Sequence, residues 1–344
     1  MLPAVSLALR SRRRQPVPWA ELASLSGLPP KRLAEAVEAL GRRGFVIESH
    51  PHLGLSLVNV PPDLDEAEIA WALPVRRVGQ RVTCVETTTS TNDLAWEAAE
   101  KEADASDGLA VFADHQSAGR GRRGSRWLAP RGTSILCSVV LWVPQGAAGA
   151  ALLTRTAAIA AAEAVEDQSD LAVGIKWPND LVVEDRKVGG ILVEARHQPR
   201  DVGPVVIGVG INCSQRPEAF PPGIRPRVAS LAMLAAEVDR TLLARSLLVR
   251  LDQVLARTGG AGGAARARDE AARRCRTLGR WLSVVEGGTP YAGQVVDLDA
   301  EYGLVLRLPD GTLRRFPAMT THVVSDGADP GQSTGKTAEN RGRT

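Results

Sequence analysis

Residues 116–127 read QSAGRGRRGSRW, with Arg120, Arg122 and Arg123 set among Gly119, Gly121 and Gly124. Glycine lets the backbone take positive φ and come close to a ligand. Each guanidinium carries five donors in a fixed fork and keeps its charge at any physiological pH. Together they suit a flexible loop that folds over an anion, with arginines on phosphate or carboxylate oxygens. A nonspecific RNA-binding patch or a solvated turn would use the same residues, so other segments must separate these alternatives.

Several further stretches carry matching chemistry. Residues 86–93, ETTTSTND, crowd hydroxyl and amide side chains ahead of a helix expected over Leu94 to Lys101. One of Ser90, Thr91 or Asn92 could cap that helix. A cap needs a single residue, so the surplus points to a polar ligand group at the helix start. Lys176 sits at a strand edge before Trp177-Pro178, with Asn179-Asp180 opening the next strand. A solvated lysine needs no such frame, whereas a framed one can meet a carboxylate or phosphate. Lys187, ahead of Gly189-Gly190, reads as a turn lysine feeding a strand. Gly208 and Gly210 lie two apart in VVIGVGIN, which places both on one strand face, where a bulky ligand could approach the backbone.

The elements that hold these residues follow from pattern. Strands are expected at 81–85, 109–113, 134–142 and 205–212, the third apolar throughout, and an alanine-rich helix over 152–165. Before them, residues 1–60 read as helix, turn, helix and hairpin. One helix ends near Gly27, a second carries Leu33, Ala36, Val37 and Leu40, and Leu53, Leu55 and Leu57 alternate. That order is a winged helix-turn-helix, which would set Lys31 and Arg32 at the start of a groove-reading helix. The segment holds eight basic residues (Arg10, Arg12, Arg13, Arg14, Lys31, Arg32, Arg42, Arg43) against four acids (Glu21, Glu35, Glu38, Glu48). A winged module serving only as a dimer or interdomain element fits the same pattern. Short strands with glycine and aspartate turns follow from Trp281 to Phe316, and the chain beyond Ser325 is polar and expected to be disordered.

At 344 residues, two or three domains are expected. The net charge of +3 is too small for global charge to argue for nucleic acid. Cys84, Cys137, Cys213 and Cys275 have no metal-ligand spacing and fit free thiols in a reducing compartment. The start, MLPAVSLALRSRRR, puts apolar residues before arginines, the reverse of a secretory signal, and no run is long enough to span a bilayer. A cytoplasmic protein is expected.

The STN segment, GRGRRG, KWPND, KVGGIL and GVGIN, in that order, resemble the motifs of biotin protein ligases, the biotin–[acetyl-CoA-carboxylase] ligases. The N-terminal pattern is similar to the bifunctional class that also represses the biotin operon. The resemblance implies a multi-domain α/β protein. It would have an N-terminal winged helix-turn-helix (1–60), a linker (61–78) and a central mixed α/β domain related to lipoate ligases (79–270). An SH3-like β-barrel (276–325) and a tail (326–344) would follow. It implies a two-step reaction in which the carboxylate of biotin attacks the α-phosphate of ATP, giving biotinyl-5′-AMP and pyrophosphate. A lysine of the biotin carboxyl carrier protein then takes the biotin.

By the same resemblance, Ser90, Thr91, Asn92, Gln116, Arg120, Gly121, Arg122 and Lys176 bind biotin and its adenylate, and Asn212, with Arg122, lies beside the adenine. Lys176 meets the carboxylate and bridging oxygen, Arg120 and Lys187 add charge where it builds up, and Asp180 lies near the attacking lysine. Mg²⁺ is expected with the ATP, although no metal ligands can be named. Operator DNA and a homodimer in the adenylate-bound state are the implied partners. A lipoate-type acyl ligase, a ligase whose winged domain binds no DNA, and a ligand-sensing transcription factor without transfer activity are the alternatives.

Overall fold

The computed structural model describes residues 1–13, 15–144, 147–196, 202–260, 262–299 and 301–326. The tail expected over 326–344 lies outside them beyond Asp326. The chain opens with three helices, α1 (Leu2–Arg10), α2 (Trp19–Ser26) and α3 (Pro30–Arg42), and a hairpin, β1 (Val46–His50) with β2 (Gly54–Asn59). Gly27 ends α2 in the left-handed region at φ 68°, and Pro30 opens α3, as the turn chemistry of both residues dictates. Helix α1 goes beyond the helix, turn, helix and hairpin that the sequence pattern predicts. Its Val5 and Leu9 are buried with Leu22, Leu33, Leu40 and Leu57 in a core separate from that of the rest of the chain.

After a short helix, α4 (Glu66–Ala70), come β3 (Val82–Thr88), α5 (Thr91–Glu102), β4 (Ala110–Gln116), β5 (Ser134–Pro144) and α6 (Ala147–Asp167). Then follow β6 (Gly174–Lys176), β7 (Asp180–Val183), β8 (Arg186–Ala195), β9 (Val202–Asn212), α7 (Arg240–Thr258) and α8 (Gly263–Arg274). The seven strands form one mixed sheet in the order β3-β4-β5-β9-β8-β7-β6, with only β3 and β4 parallel. Its centre, β5 against β9, pairs from Ser134↔Asn212 to Pro144↔Val202. Both faces are covered, which explains the near-continuous valine and isoleucine runs. Phe112, Cys137, Val139, Ile207 and Val209 face the alanines of α6, and Val111, Val140 and Val206 face Ala95, Trp96 and Ala99 of α5. Small side chains along α6 let it lie close on the sheet: Ala157 to Ala162 are fully buried.

The C-terminal strands are β10 (Trp281–Glu286), β11 (Thr289–Leu298), β12 (Leu304–Arg307), β13 (Leu313–Phe316) and β14 (His322–Asp326). They make an antiparallel sheet in the order β13-β12-β11-β10-β14. The expected barrel is not closed here: no pairing joins β13 to β14 among the described residues. The inner face of the sheet, with Leu282, Val284, Val295, Leu304, Leu306 and Phe316, continues the main core. No helix among the described residues is long and apolar enough to cross a membrane.

The approach to β3 is held from a distance. Asp252 on α7 accepts the backbone N–H groups of Arg76, Arg77 and Val78, each at 2.9 Å. Three donors therefore depend on one largely buried carboxylate. Asp252→Ala is expected to cost about 3 kcal/mol, because bonds to a charged group are worth more than neutral ones and the freed donors have no substitute. Urea unfolding of the two proteins measures it; a difference below about 1 kcal/mol would remove this role.

Candidate active site

The site grows from the junction of β3 and α5. Ser90 takes an extended backbone, φ −156°, and its Oγ accepts from the Asn92 N–H, so it is the helix cap. The helix starts at Thr91, three residues earlier than expected, so Thr91 and Asn92 occupy its first turn rather than a loop. Gln116, the last residue of β4, uses Oε1 to accept from the Thr91 N–H at 2.7 Å and its hydroxyl at 3.0 Å. Ser138 of β5, which the apolar pattern around it hides, donates towards Thr91 Oγ1 at 2.7 Å and Asn92 Oδ1 at 2.5 Å. Asn92 in turn donates to Glu194 at 2.9 Å. Four expected binding residues thus form one hydrogen-bonded row.

Gly208 and Gly210 of β9 lie below that row. A Cβ on Gly208 would sit 2.5 Å from Asn92 Oδ1, and one on Gly210 would sit 2.7 Å from the Trp127 ring. Close approach to the backbone was expected, but these neighbours belong to the chain itself. Trp127 is the main residue missing from the expected set. Its indole N–H is buried with no hydrogen-bond partner among the described residues.

Residues 119–127 form a small closed hairpin rather than an open flexible loop. The N–H of Trp127 donates to Gly119 O at 2.9 Å and that of Gly121 to Ser125 O at 2.7 Å, around an Arg120↔Arg126 bridge. Its tip turns through Arg123 and Gly124 at φ 57° and 74°. Arg120 forks Asp93 at 2.6 and 3.0 Å, and Arg122 donates to Ala318 O, in the turn between β13 and β14, at 2.7 Å. Burial pulls the Arg122 guanidinium below its ordinary value, while the bond to Asp93 raises that of Arg120.

Lys187 is inside β8, not in a turn, and its Nζ is 2.6 Å from Asp180 and 5.7 Å from the centre of the Trp127 ring. Asn179 ties the turn before β7 to β8 by bonds to and from the Ile191 backbone at 2.8 and 2.9 Å. A cavity of about 260 Å³ lies between these groups. Ser90, Thr91, Asn92, Gln116, Arg120, Gly121, Arg122, Asp180 and Lys187 all line it, with Trp127 and the two glycines.

Two expected residues stand apart. Lys176 lines the neighbouring cavity, with Arg122, Arg123, Arg227 and His322, because β6 is the edge strand and Trp177-Pro178 turns the chain away. Asn212 is buried behind the site: its amide donates to Ala229 O at 3.1 Å and accepts from Gln215 at 3.0 Å. Among the described residues no three histidine, cysteine or carboxylate side chains converge to hold a metal ion.

A mixed sheet whose helix start, arginine hairpin and strand lysine enclose one polar, cationic cavity frames a site for an anionic ligand. Residues 84–212 match the Biotin/lipoate A/B protein ligase family. The biotin–[acetyl-CoA-carboxylase] ligase of Mycobacterium tuberculosis is 34% identical over 258 residues, which cover 71% of this chain and 90% of that protein. The bifunctional ligase/repressor BirA of Bacillus subtilis is 32% identical over 214 residues, 62% of this chain and 65% of BirA, so the match spans just under two thirds of that relative. In fold, the chain resembles the Aquifex aeolicus biotin protein ligase solved with biotin and ATP, with a TM-score of 0.60 at 23% identity, over 71% of this chain and 98% of that one. The chain belongs to the biotin protein ligase family.

The Arg120–Asp93 fork sets a pH dependence. The bond from Arg120 is the main reason the Asp93 carboxyl titrates below the usual carboxylate range. A carboxyl depressed by folding contributes stability that is present above its unfolded value and lost as pH falls through the folded one. In Arg120→Ala the Asp93 carboxyl should return towards its ordinary value and this acid dependence should shrink. NMR titration of the Asp93 carboxyl carbon tests it; an unmoved midpoint would show that Arg120 is not its partner in solution.

Proposed function

We propose that this chain is an ATP-dependent biotin protein ligase, which forms biotinyl-5′-AMP from biotin and ATP and transfers the biotin to a carrier lysine. One observation carries the reading. A single cavity gathers a polar row (Ser90, Thr91, Asn92, Gln116) together with the cations Arg120, Arg122 and Lys187. That matches a ligand with a neutral polar head and a carboxylate tail to be activated. The relatives' names agree with it.

In the first step an anion attacks a polyanion, so fixed positive charge is needed where negative charge develops. We assign this to Lys187 and Arg122, with Arg120 released from Asp93 to help. Lys187 takes the part expected of Lys176, because it faces the cavity beside Asp180 and Trp127. Lys176 would act at most from the adjoining cavity, and Asn212 would support the adenine end from behind its wall. The hairpin would shield the mixed anhydride from water. In the second step the attacking amine must lose a proton, and Asp180 is the carboxylate we assign to it. Mg²⁺ would be held through the phosphates of ATP, as is usual for this ion. Bound there it screens their charge.

The test is mass spectrometry of a biotin carrier domain after incubation with the protein, biotin, ATP and Mg²⁺. A biotin-sized shift on one lysine is expected. A shift with lipoate in place of biotin would support the related acyl ligase instead. Lys187→Ala should slow biotin-dependent pyrophosphate exchange roughly 100- to 1,000-fold, and Lys176→Ala distinctly less. An equal or larger loss at Lys176 would return the carboxylate contact to that residue.

The same proposal divides the chain at 1–60, 79–270 and 276–325, with 61–78 as linker, and reads the first unit as a winged helix-turn-helix and the last as SH3-like. Lys31 and Arg32 are exposed at the start of α3, which supports DNA binding by a dimer and a biotin-responsive repressor role. A gel shift against the promoter of the protein's own biotin genes, with and without biotin and ATP, tests it. Changing Lys31 and Arg32 to Ala should lower the salt slope by about 0.9 for each phosphate these side chains neutralise. An unshifted promoter under every ligand condition would leave a ligase only.

A further inference from the structure

Outside the cavity, a cluster of buried, multiply bonded charged groups meets at the start of α7. Asp239 is the cap of that helix: its Oδ1 accepts from the Thr241 and Leu242 N–H groups at 2.9 and 3.1 Å. Its other oxygen accepts from Arg10, the last residue of α1, at 2.7 Å. Arg10 also donates to Glu68 of α4 at 2.8 Å, and its guanidinium lies 5.2 Å from the centre of the Phe45 ring. The side chains of Arg10, Glu68 and Asp239 are only 3%, 3% and 5% exposed. The Arg10–Asp239 pair therefore joins the N-terminal unit to the central one through almost fully buried side chains.

The next residue, Arg240, reaches the opposite way. It donates to Asp114 Oδ1 at 2.8 Å, to Ser134 O at 2.9 Å and to Pro62 O at 2.5 Å. Asp114 lies on β4 two residues before Gln116, and Ser134 opens β5. Everything between them is the excursion that carries Gln116, the arginine hairpin and Trp127. Asp114 also accepts from Gly132 N–H through its own carbonyl at 2.9 Å. One side chain, 10% exposed against 4% for Asp114, thus staples both feet of the active-site hairpin and holds the linker at Pro62.

We propose that Arg240 is a positioning residue for the hairpin, and that Asp239 and Arg10 couple its setting to the docking of the N-terminal unit. The physical reason is that Asp239 and Arg240 are neighbours at the start of one rigid helix. A change in how α1 seats on Asp239 moves the start of α7, and Arg240 carries that shift to both feet of the hairpin. Buried charge pairs suit such a task because breaking one leaves an uncompensated charge, so the pairing is complete or absent. The part of the proposal that concerns the adenylate rests on the ligase reading; the mechanical part does not.

The experiment measures backbone hydrogen exchange at Gly121, Trp127 and Gly132 in the full chain, together with release of biotinyl-5′-AMP. Asp239→Asn is the informative variant: asparagine caps helices as well as aspartate, so α7 is kept while the charge facing Arg10 is removed. Arg10→Met and Arg240→Met test the two ends, and Arg240→Lys tests partial rescue. Exchange at all three amides and adenylate release should rise about 5-fold or more in Asp239→Asn, Arg10→Met and Arg240→Met, the lower range for coupled sites. The rate of adenylate formation at saturating substrate should hold, and Arg240→Lys should lie between. Changes below about 2-fold in Arg240→Met would overturn the staple. A response to Arg240→Met without one to Asp239→Asn and Arg10→Met would overturn the link to the N-terminal unit. A wild-type protein that makes no adenylate would sink the ligase reading, and the exchange data would still decide the coupling.

Discussion

A strand has two faces, and β9 has to meet opposite demands on them. Ile207, Val209 and Ile211 are buried in the main core. Gly208 and Gly210, on the other side, leave the space into which Asn92 and the Trp127 ring come. A Cβ at either position would collide with those groups at under 3 Å, so the glycines are required by the site and not by a turn. The start of α5, the end of β4 and the hairpin can meet over the sheet only because this face is bare. The alanines of α6 complete the arrangement by packing the opposite face tightly.

Charge is handled in two ways in the same molecule. Around the cavity, Arg120 is paired with Asp93 and Lys187 with Asp180, with each side chain about a third exposed. Such pairs are weak and open to competition by an incoming anion. The pairs of Arg10 with Glu68 and Asp239, which tie the N-terminal unit down, and of Arg240 with Asp114, within the central unit, are almost fully buried and closed to such competition. The first kind suits groups that must change partners when a ligand arrives, and the second suits contacts that hold geometry.

Much of the site was legible because its signals are local. A cap among Ser90, Thr91 and Asn92, the glycine spacing in β9 and the candidacy of Arg120, Arg122, Asp180 and Lys187 each follow from short stretches whose chemistry is close in sequence. What escaped depends on contacts far along the chain. Ser138 looks like a stray hydroxyl in an apolar strand until Thr91 and Asn92, 47 and 46 residues away, are brought against it. Helix α1 reads only as an apolar stretch ahead of arginines until Val5 and Leu9 find a core. The resemblance puts Lys176 at the carboxylate, whereas Lys187, eleven residues on, lines the cavity, because the turn between β6 and β7 decides which of the two faces it.

By itself the sequence determined which residue types stand together and which elements carry them, because capping, alternation and turn chemistry act over a few residues. Only the tertiary structure decided which of those residues share a cavity, that the arginine segment closes into a hairpin, and that among the described residues no pairing closes the C-terminal sheet between β13 and β14. Those outcomes turn on strand order and on partners up to 229 residues apart, as for Arg10 and Asp239. Local pattern cannot specify them, because a side chain's direction is set by its strand and its partner by the sheet.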